Sequence, residues 1–432
     1  MEKVDIHTVI KPINSISKLG GLELFEEKHN GNKGLKNKSI LRKFCPLFIS
    51  MFIIITMITN YVLHYTIVKK TTQLDDIHLF QMPITTVSAV ISLFVSNIKL
   101  ANGMDDILNR MILLDDLLRI SHDIYFKDMK FIKRQMNWLM ILYIILIIFE
   151  IITFKNEFMS LVYCITLDIP IFVHYLIFIQ FINLIYLIQG RLKQLNEYIL
   201  SPNITNINSR RLLYSHLGII NSTATNHNYL LCDETESQSL GKINKYNVKF
   251  SEIVPTHFEN SIKQKLHFQM LRVIQEGLCE ISHSINDIYG FQILLITITV
   301  CTEIPSNLYY SILRMSSEYY KSTMKIVQIM KIILPIIWAL FYFMILFLIT
   351  CTCKFTSDES NRTAVLLQKL LLIPELHPGI RSEIKLFLGQ ASNRRIKFTA
   401  WDIFTMNLKF LGSVVGAIIT LLVILVQFHK IV

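Results

Sequence analysis

Residues Phe410 to Phe428 read FLGSVVGAIITLLVILVQF, with no charge between Lys409 and His429. A helix needs about 20 apolar residues to cross the hydrocarbon of a bilayer, so this stretch reads as a membrane span. Its one amide, Gln427, lies near the end, and a polar side chain at that depth needs water or a protein partner. Thr420, Ile424 and Gln427 follow i, i+4, i+7 spacing and share one helix face, while Leu421, Leu425 and Phe428 fall on the adjacent face. One stripe can meet water and the other lipid or protein.

The other residues place the whole chain in the same class. Of 432 residues, 52% are hydrophobic and only 17% charged, whereas charged residues approach a quarter of a soluble domain. The expectation is an all-α polytopic membrane protein, with the lipid bilayer as its first partner. The net charge of +11 therefore bears on topology rather than on nucleic acid, for which no partner is expected. Seven Cys are scattered in or beside apolar runs, with no ligand spacing beyond Cys351-Thr352-Cys353. They read as structural thiols, with juxtamembrane palmitoylation of Cys351 or Cys353 as the minority reading.

Residues 1–43 are polar and basic and lack the apolar core of a cleaved signal peptide. Within them Ile13, Ile16, Leu19 and Leu22 form a short apolar patch beside Gly20-Gly21, read as an interfacial helix and turn. Span 1 covers 44–68 and span 2 covers 77–95. Asn102-Gly103 reads as a turn before an amphipathic helix outside the membrane through Ile107, Met111, Leu114 and Leu118. Spans 3 and 4 follow at 136–154 and 159–189, the latter with Asp168-Ile169-Pro170 inside it. Proline kinks a helix, and a carboxylate there must be hydrated or paired. His174 is the nearest candidate partner for Asp168. The Asn- and Ser-rich stretch 201–247 has little to bury, which predicts mobility. Leu271, Ile274, Leu278, Ile281, Ile285 and Ile288 then recur at gaps of three and four, the spacing of a packing seam. One continuous helix is predicted from this stalk into span 5, 288–308. Span 6 is 326–350, and a further helical stretch runs through Leu366, Leu370 and Leu371 to Pro374 and Pro378, then on through Ile384, Phe387 and Leu388.

Charge sets the orientation. Placing the amino terminus and the loops after spans 2, 4 and 6 on one side gathers 35 of the 43 Lys and Arg, and positive charge stays in the cytoplasm. The amino terminus is then inside and the carboxy terminus outside. Glycosylation sequons at Asn37, Asn203, Asn221 and Asn361 fall on the cytoplasmic side and pull the other way, but so short a pattern arises by chance in a chain rich in Asn, Ser and Thr. The expected organisation is a cytoplasmic segment 1–43, spans 1 to 6 over 44–350 with a long cytoplasmic loop 190–287, cytoplasmic helices over 351–407, and span 7 with a short extracellular end over 408–432.

No metal-ligand spacing, phosphate-cradling Gly loop or catalytic motif is present, so neither enzyme nor cofactor is expected. The polar and aromatic groups within the spans instead look like a small-molecule pocket. They are Gln81 and Thr85 in span 2, Glu150 in span 3, Tyr163, Asp168 and His174 in span 4, Thr299 and Glu303 in span 5, and Trp338 and Tyr342 in span 6. With the amino terminus inside, Gln81, Thr85, Tyr163 and Trp338 lie in the outer halves of their spans, and Glu150, Thr299 and Glu303 come to the same level. For each residue singly, an ordinary interhelical hydrogen bond or an interfacial belt position explains it as well.

Thr420, the five apolar residues Leu422 to Val426, and Gln427-Phe428 resemble the carboxy-terminal signature of insect gustatory receptors, which reads Thr-Tyr, five apolar residues, Gln-Phe. Leu421 stands where that family usually has Tyr. Phe398-Thr399-Ala400 and Phe404 also resemble the family, so the specific likeness covers about the last sixty residues. It implies a tetrameric, tastant-gated, non-selective cation channel related to insect odorant receptors, in the plasma membrane of a sensory neuron dendrite. On that reading span 7 lines the pore, with Gln427 at the constriction, Ile424 and Thr420 below it and Phe428 beside it. The 271–288 seam and the 381–405 segment would form a cytoplasmic anchor. The partners implied are a small-molecule tastant and other receptor subunits, as a homo-tetramer or a hetero-tetramer with other gustatory receptors. The sugar-receptor branch carries Glu where this chain has Leu422, which points to bitter or plant-derived compounds. The competing readings are a G-protein-coupled receptor, although Asp-Arg-Tyr after span 3 and Asn-Pro-x-x-Tyr in span 7 are missing, and a solute transporter, although no internal repeat is visible.

Overall fold

Apolar residues at helical spacing build nine helices among the residues described by this computed structural model, which are 6–24, 35–67, 73–154, 158–200, 256–316, 326–374 and 376–431. The Asn- and Ser-rich stretch with Asn203 and Asn221 lies outside them. Helix α1 is Ile6–Ser17, and α2 to α5 are Leu35–Ile67, Gln73–Leu117, His122–Phe154 and Phe158–Leu200. Helix α6 is Thr256–Ser316, α7 is Ile326–Leu371, α8 is Pro378–Asn393 and α9 is Leu408–Ile431. Seven of them, α2 to α7 and α9, are long and apolar enough to cross a membrane.

Helix α5 is the axis of the bundle, buried on nearly every side from Ile171 to Ile199. Around it α2 and α4 turn large apolar side chains outward, among them Phe48, Met51 and Phe52 on α2 and Trp138, Ile145 and Ile148 on α4. In water such surfaces would be a liability, whereas in hydrocarbon they are the natural exterior. Helix α6 has 61 residues, a length of about 90 Å at the α-helical rise, about twice a bilayer. The predicted seam is buried throughout, with Leu271, Ile274, Leu278, Ile281 and Ile285 at 0% exposure and Ile288 at 6%. The stalk and span 5 are one helix, as its periodicity predicts.

Helices α3 and α6 run antiparallel in close contact. Asn102-Gly103 is not a turn, because α3 passes through it unbroken. Gly103 serves packing instead, since a Cβ there would lie 3.0 Å from Cδ1 of Ile288, and Gly277 on α6 would likewise bring a Cβ to 2.8 Å from Cδ2 of Leu114. Of the apolar patch near the amino terminus, Ile13 and Leu22 are buried against the bundle together with Ile6, Val9 and Ile10 of α1, at 0–1% exposure. One further reading of the sequence is corrected. The helix through Leu366 and Leu370 is not separate from span 6 but is the continuation of α7.

Between α8 and α9 the chain forms a small hairpin rather than helix, with β1 (Thr399–Ala400) antiparallel to β2 (Phe404–Thr405). Three residues, Trp401 to Ile403, join the strands; Trp401 and Asp402 both take left-handed backbone, with φ of 50° and 57°, and the Ile403 amide donates to the Ala400 carbonyl at 3.1 Å. Asp tolerates that region, whereas for Trp it costs about 1–2 kcal/mol. Thr399 Oγ1 donates to Asp402 Oδ1 at 2.8 Å, and the Trp401 ring meets Phe291 of α6 edge-on at 5.0 Å between centroids. The turn is thereby fixed against the stalk.

At the α8 end of the bundle one cation ties three helices together. Arg191 on α5, 1% exposed, donates from Nε to Asp115 Oδ1 at 2.9 Å and from Nη2 to Asp115 Oδ2 at 3.0 Å, and it also pairs with Asp128 on α4. The Tyr125 hydroxyl donates to Asp115 Oδ2 at 2.8 Å, and the guanidinium lies 5.4 Å from the Tyr125 ring centre. Removing one member of a buried ion cluster strands the other charges. Arg191→Ala is therefore expected to cost about 3–5 kcal/mol, read as a large drop in melting temperature of the detergent-purified protein. An unchanged melting temperature would contradict this account.

Candidate functional site

The polar residues picked out in spans 2 to 6 converge at the end of the bundle remote from α8. On α3, Gln81, Thr85, Ser88, Ser92 and Ser96 recur at gaps of three and four and are all buried, none more than 4% exposed. That spacing aims one polar stripe at one neighbour, which is α6. There Thr85 Oγ1 donates to Glu303 Oε1 at 2.6 Å, Gln81 Nε2 donates to Glu303 Oε2, and Asn307 Nδ2 donates to the Glu303 backbone carbonyl at 2.8 Å. Tyr342 of α7 also faces Glu303. Ser88 Oγ shares hydrogen bonds with Thr299 Oγ1 at 2.9 Å and with His174 Nε2 at 2.8 Å. Farther along, Gln292 Nε2 donates to Ser96 Oγ at 2.7 Å. The pair is a ladder of polar contacts inside an apolar bundle, as buried polar groups require.

Beside the ladder stands an aromatic cluster from α4, α5 and α7. Tyr143 stacks on Phe172 and Tyr175 at 5.6 and 5.1 Å, and Trp338 meets Tyr143, Phe341 and Tyr342 at 5.5–6.1 Å between ring centres. The Tyr143 hydroxyl donates to the backbone carbonyl of Asp168 at 2.8 Å. Glu150, 9% exposed, lies against Cys164 and Trp338. Tyr175 OH and, next to it on α5, His174 Nδ1 are buried with no hydrogen-bond partner among the described residues. A stranded buried polar atom costs about 1–3 kcal/mol. Both stand on α5, where water or another polar group would be stabilised.

The structure thus brings Gln81, Thr85, Glu303 and Tyr342 into one hydrogen-bonded group, Thr299 into an adjoining one through Ser88, and Glu150 and Trp338 side by side. Asp168 is only half-buried and joins through its backbone. It does not pair with His174, which bonds Ser88 instead. Six residues along a helix leave two side chains about 120° apart, too far round for that pair. The Tyr163 side chain lies outside the described residues. Sequence reasoning passed over Ser88, Asn307, Tyr143 and Tyr175. The α3 stripe would have revealed Ser88, and Tyr143 lies two turns before Glu150 on the same face of α4.

On α9 one face packs through Leu411, Val414 and Ile418, each 6–8% exposed, and the adjoining faces are open. Thr420, Ile424 and Gln427 are exposed, together with Ser413 and Gly416. The Ser413 and Thr420 hydroxyls bond carbonyls of their own helix, at 3.2 and 2.9 Å. Gln427 makes no hydrogen bond among the described residues, and the Phe428 side chain lies outside them.

Seven long apolar helices around a buried polar ladder and aromatic cluster define a multi-pass membrane protein. The chain belongs to the family described as 7tm Chemosensory receptor, whose family profile matches residues 211–431. The chemoreceptor expected from the carboxy-terminal stretch is borne out at this level, and the family is one of receptors rather than enzymes. No curated protein matches the chain. Among solved structures it is similar to the insect olfactory receptor OR5 from Machilis hrabei, with a TM-score of 0.62 and 13% identity over 98% of each chain. It is similar to the same receptor in complex with eugenol, with a TM-score of 0.60 and 13% identity over 97% of each chain. At that identity the likeness is one of fold.

The ladder makes a testable demand. Glu303→Leu leaves Gln81 and Thr85 without their acceptor and is expected to destabilise by about 1–3 kcal/mol. Trp338→Phe removes one N–H, beside Glu150, while keeping a ring, and should cost less than Glu303→Leu, which takes the acceptor from two donors. Melting temperatures of the two detergent-purified variants check the order, and the reverse order would contradict it.

Proposed function

We propose that the chain is a gustatory receptor that acts as a tastant-gated, non-selective cation channel in the plasma membrane, for bitter or plant-derived compounds. The observation that carries the channel reading is the face of α9. Gln427 lies at the end of the charge-free run Phe410–Phe428 of α9, exposed and unpartnered among the described residues, on one face with the exposed Thr420 and Ile424. Four copies arranged about an axis would give that face water and make α9 the lining of a pore, with Gln427 at the narrowest point, Ile424 and Thr420 below it and Phe428 alongside. No Asp or Glu lies in α9, which fits weak selectivity among cations. Partner subunits would be further copies or other gustatory receptors, and a sensory dendrite is the expected location. The amino terminus and α8 would be cytoplasmic, in keeping with the distribution of Lys and Arg.

The ligand reading takes the aromatic cluster of Tyr143, Tyr175 and Trp338, with the unpartnered Tyr175 hydroxyl, as the wall of a ligand chamber. A small organic molecule entering there would meet that hydroxyl, and Glu150 and the ladder residues Gln81, Thr85, Thr299, Glu303 and Tyr342 would form its polar wall. Asp168 and Tyr163 would line the approach. The eugenol complex of a receptor with this fold is in keeping with such an occupant. Helix α6 joins the two regions, because Glu303 stands on the same helix as Asn286 and Phe291. Asn286 Nδ2 donates to Thr399 Oγ1 at 3.0 Å and Asn286 Oδ1 accepts from the Thr399 amide at 2.7 Å. A ligand that favours one tilt of α6 would shift the population of open α9 by no more than its difference in affinity for the two states.

Recording from cells that express the chain alone tests this reading against its competitors. Cation current evoked by plant-derived aromatics, persisting when G-protein signalling is blocked, is the expected result. Loss of the response on that block would favour a G-protein-coupled receptor. Substrate uptake without unitary openings would favour a transporter.

A further inference from the structure

A second site lies at the opposite end of the bundle from the chamber. A cavity of 450 Å³ opens between α7, the link from α8 to β1, and the amino end of α9. Lys354, Arg395, Lys397 and Lys409 line it, and the one carboxylate in the lining is Asp358. Asp358 is committed to Lys354 at 2.5 Å. Lys397 and Lys409 are exposed and make no ion pair among the described residues, and Arg395 spends only its Nε, on the Ser392 carbonyl at 3.1 Å. The amino end of α9, where aligned peptide dipoles leave partial positive charge, faces the same space through Asn407 and Lys409.

The level of this cavity is set by sequence. Lys354 is the first charge of α7 after the run from Ile332 to Cys353, and Lys409 is the last before the run of α9. Both therefore stand where hydrocarbon gives way to headgroups. From the cavity an apolar path leads into the membrane, since Leu408, Ile419 and Val423 are exposed and follow one another along one side of α9.

We propose that this cavity binds the headgroup of an anionic membrane lipid bearing more than one phosphate, with its tails along α9. Cations spread around 450 Å³ exceed what a single phosphate can engage, and basic pockets between membrane helices on the cytoplasmic side suit phosphorylated headgroups. The apolar path favours a lipid over a soluble phosphate. Such a ligand would clasp α7, the hairpin link and α9 together, so it would act on the helix proposed to line the pore. The leaflet rests on the proposed orientation, but binding in detergent does not, so the two readings can fail separately.

The test is fluorescence anisotropy of a labelled short-chain phosphatidylinositol bisphosphate, titrated with the full chain purified in detergent and with a Lys397→Gln/Lys409→Gln variant. Saturable binding, weakened about tenfold or more in the variant at an unchanged melting temperature, is expected. Short-chain phosphatidylcholine should not compete, and inositol trisphosphate should compete at least about tenfold less well than unlabelled lipid. Equal binding by both proteins, or equal competition by phosphatidylcholine, would overturn the site. Equal competition by inositol trisphosphate would overturn the lipid and assign the cavity to a soluble polyphosphate.

Discussion

A polar side chain inside hydrocarbon must find its partner within the protein, and the arrangement of this bundle follows from that constraint. The α3 stripe from Gln81 to Ser96 has nowhere to go except the matching face of α6. The glycines at 103 and 277 let the two helices close to the distance at which Thr85 reaches Glu303 and Ser88 reaches Thr299. Arg191 obeys the same rule at the other end, where it draws Asp115 and Asp128 onto α5. The rule is left unmet on α5, where Tyr175 OH and His174 Nδ1 are buried without a hydrogen-bond partner among the described residues.

Helix α6 turns these separate facts into one device. It carries Thr299 and Glu303 in the chamber, meets the hairpin at Asn286 and Phe291, and docks α8 through Arg272 Nε with Glu383 Oε1 at 3.2 Å and through Glu276 with Arg394. One helix thus touches the proposed chamber, the link to α9 and α8. The left-handed Trp401 lies at the junction, so strained backbone sits where α9 is joined to the rest of the chain, a location typical of moving parts.

Much of this was legible in the sequence because spans and seams are periodic. The Leu271–Ile288 pattern announces a buried helix face wherever it lies, and charge-free runs of about 20 residues announce spans. The hairpin was not legible: Thr399 to Phe404 contains none of the Gly or Asn that usually signals a tight hairpin connection, and tertiary contacts with Phe291 and Asn286 hold it. The turn expected at Asn102-Gly103 failed for the complementary reason, since glycine serves helix approach as well as turns. The members of the chamber could be chosen by residue type and level along each span. Their partners could not, because they depend on the rotation of each helix about its own axis, which separates His174 from Asp168 and leaves it beside Ser88.

The central claim is that the Thr420, Ile424 and Gln427 face of α9 meets water in an ion path while the Leu411, Val414 and Ile418 face is packed. Single cysteines at these six positions, exposed to a charged water-soluble thiol reagent during current recording and compared with the unsubstituted chain, test it directly. The account predicts block of current at 420, 424 and 427, faster in the presence of agonist, and no effect at 411, 414 and 418. Reaction at the packed positions with none at the other three would contradict it.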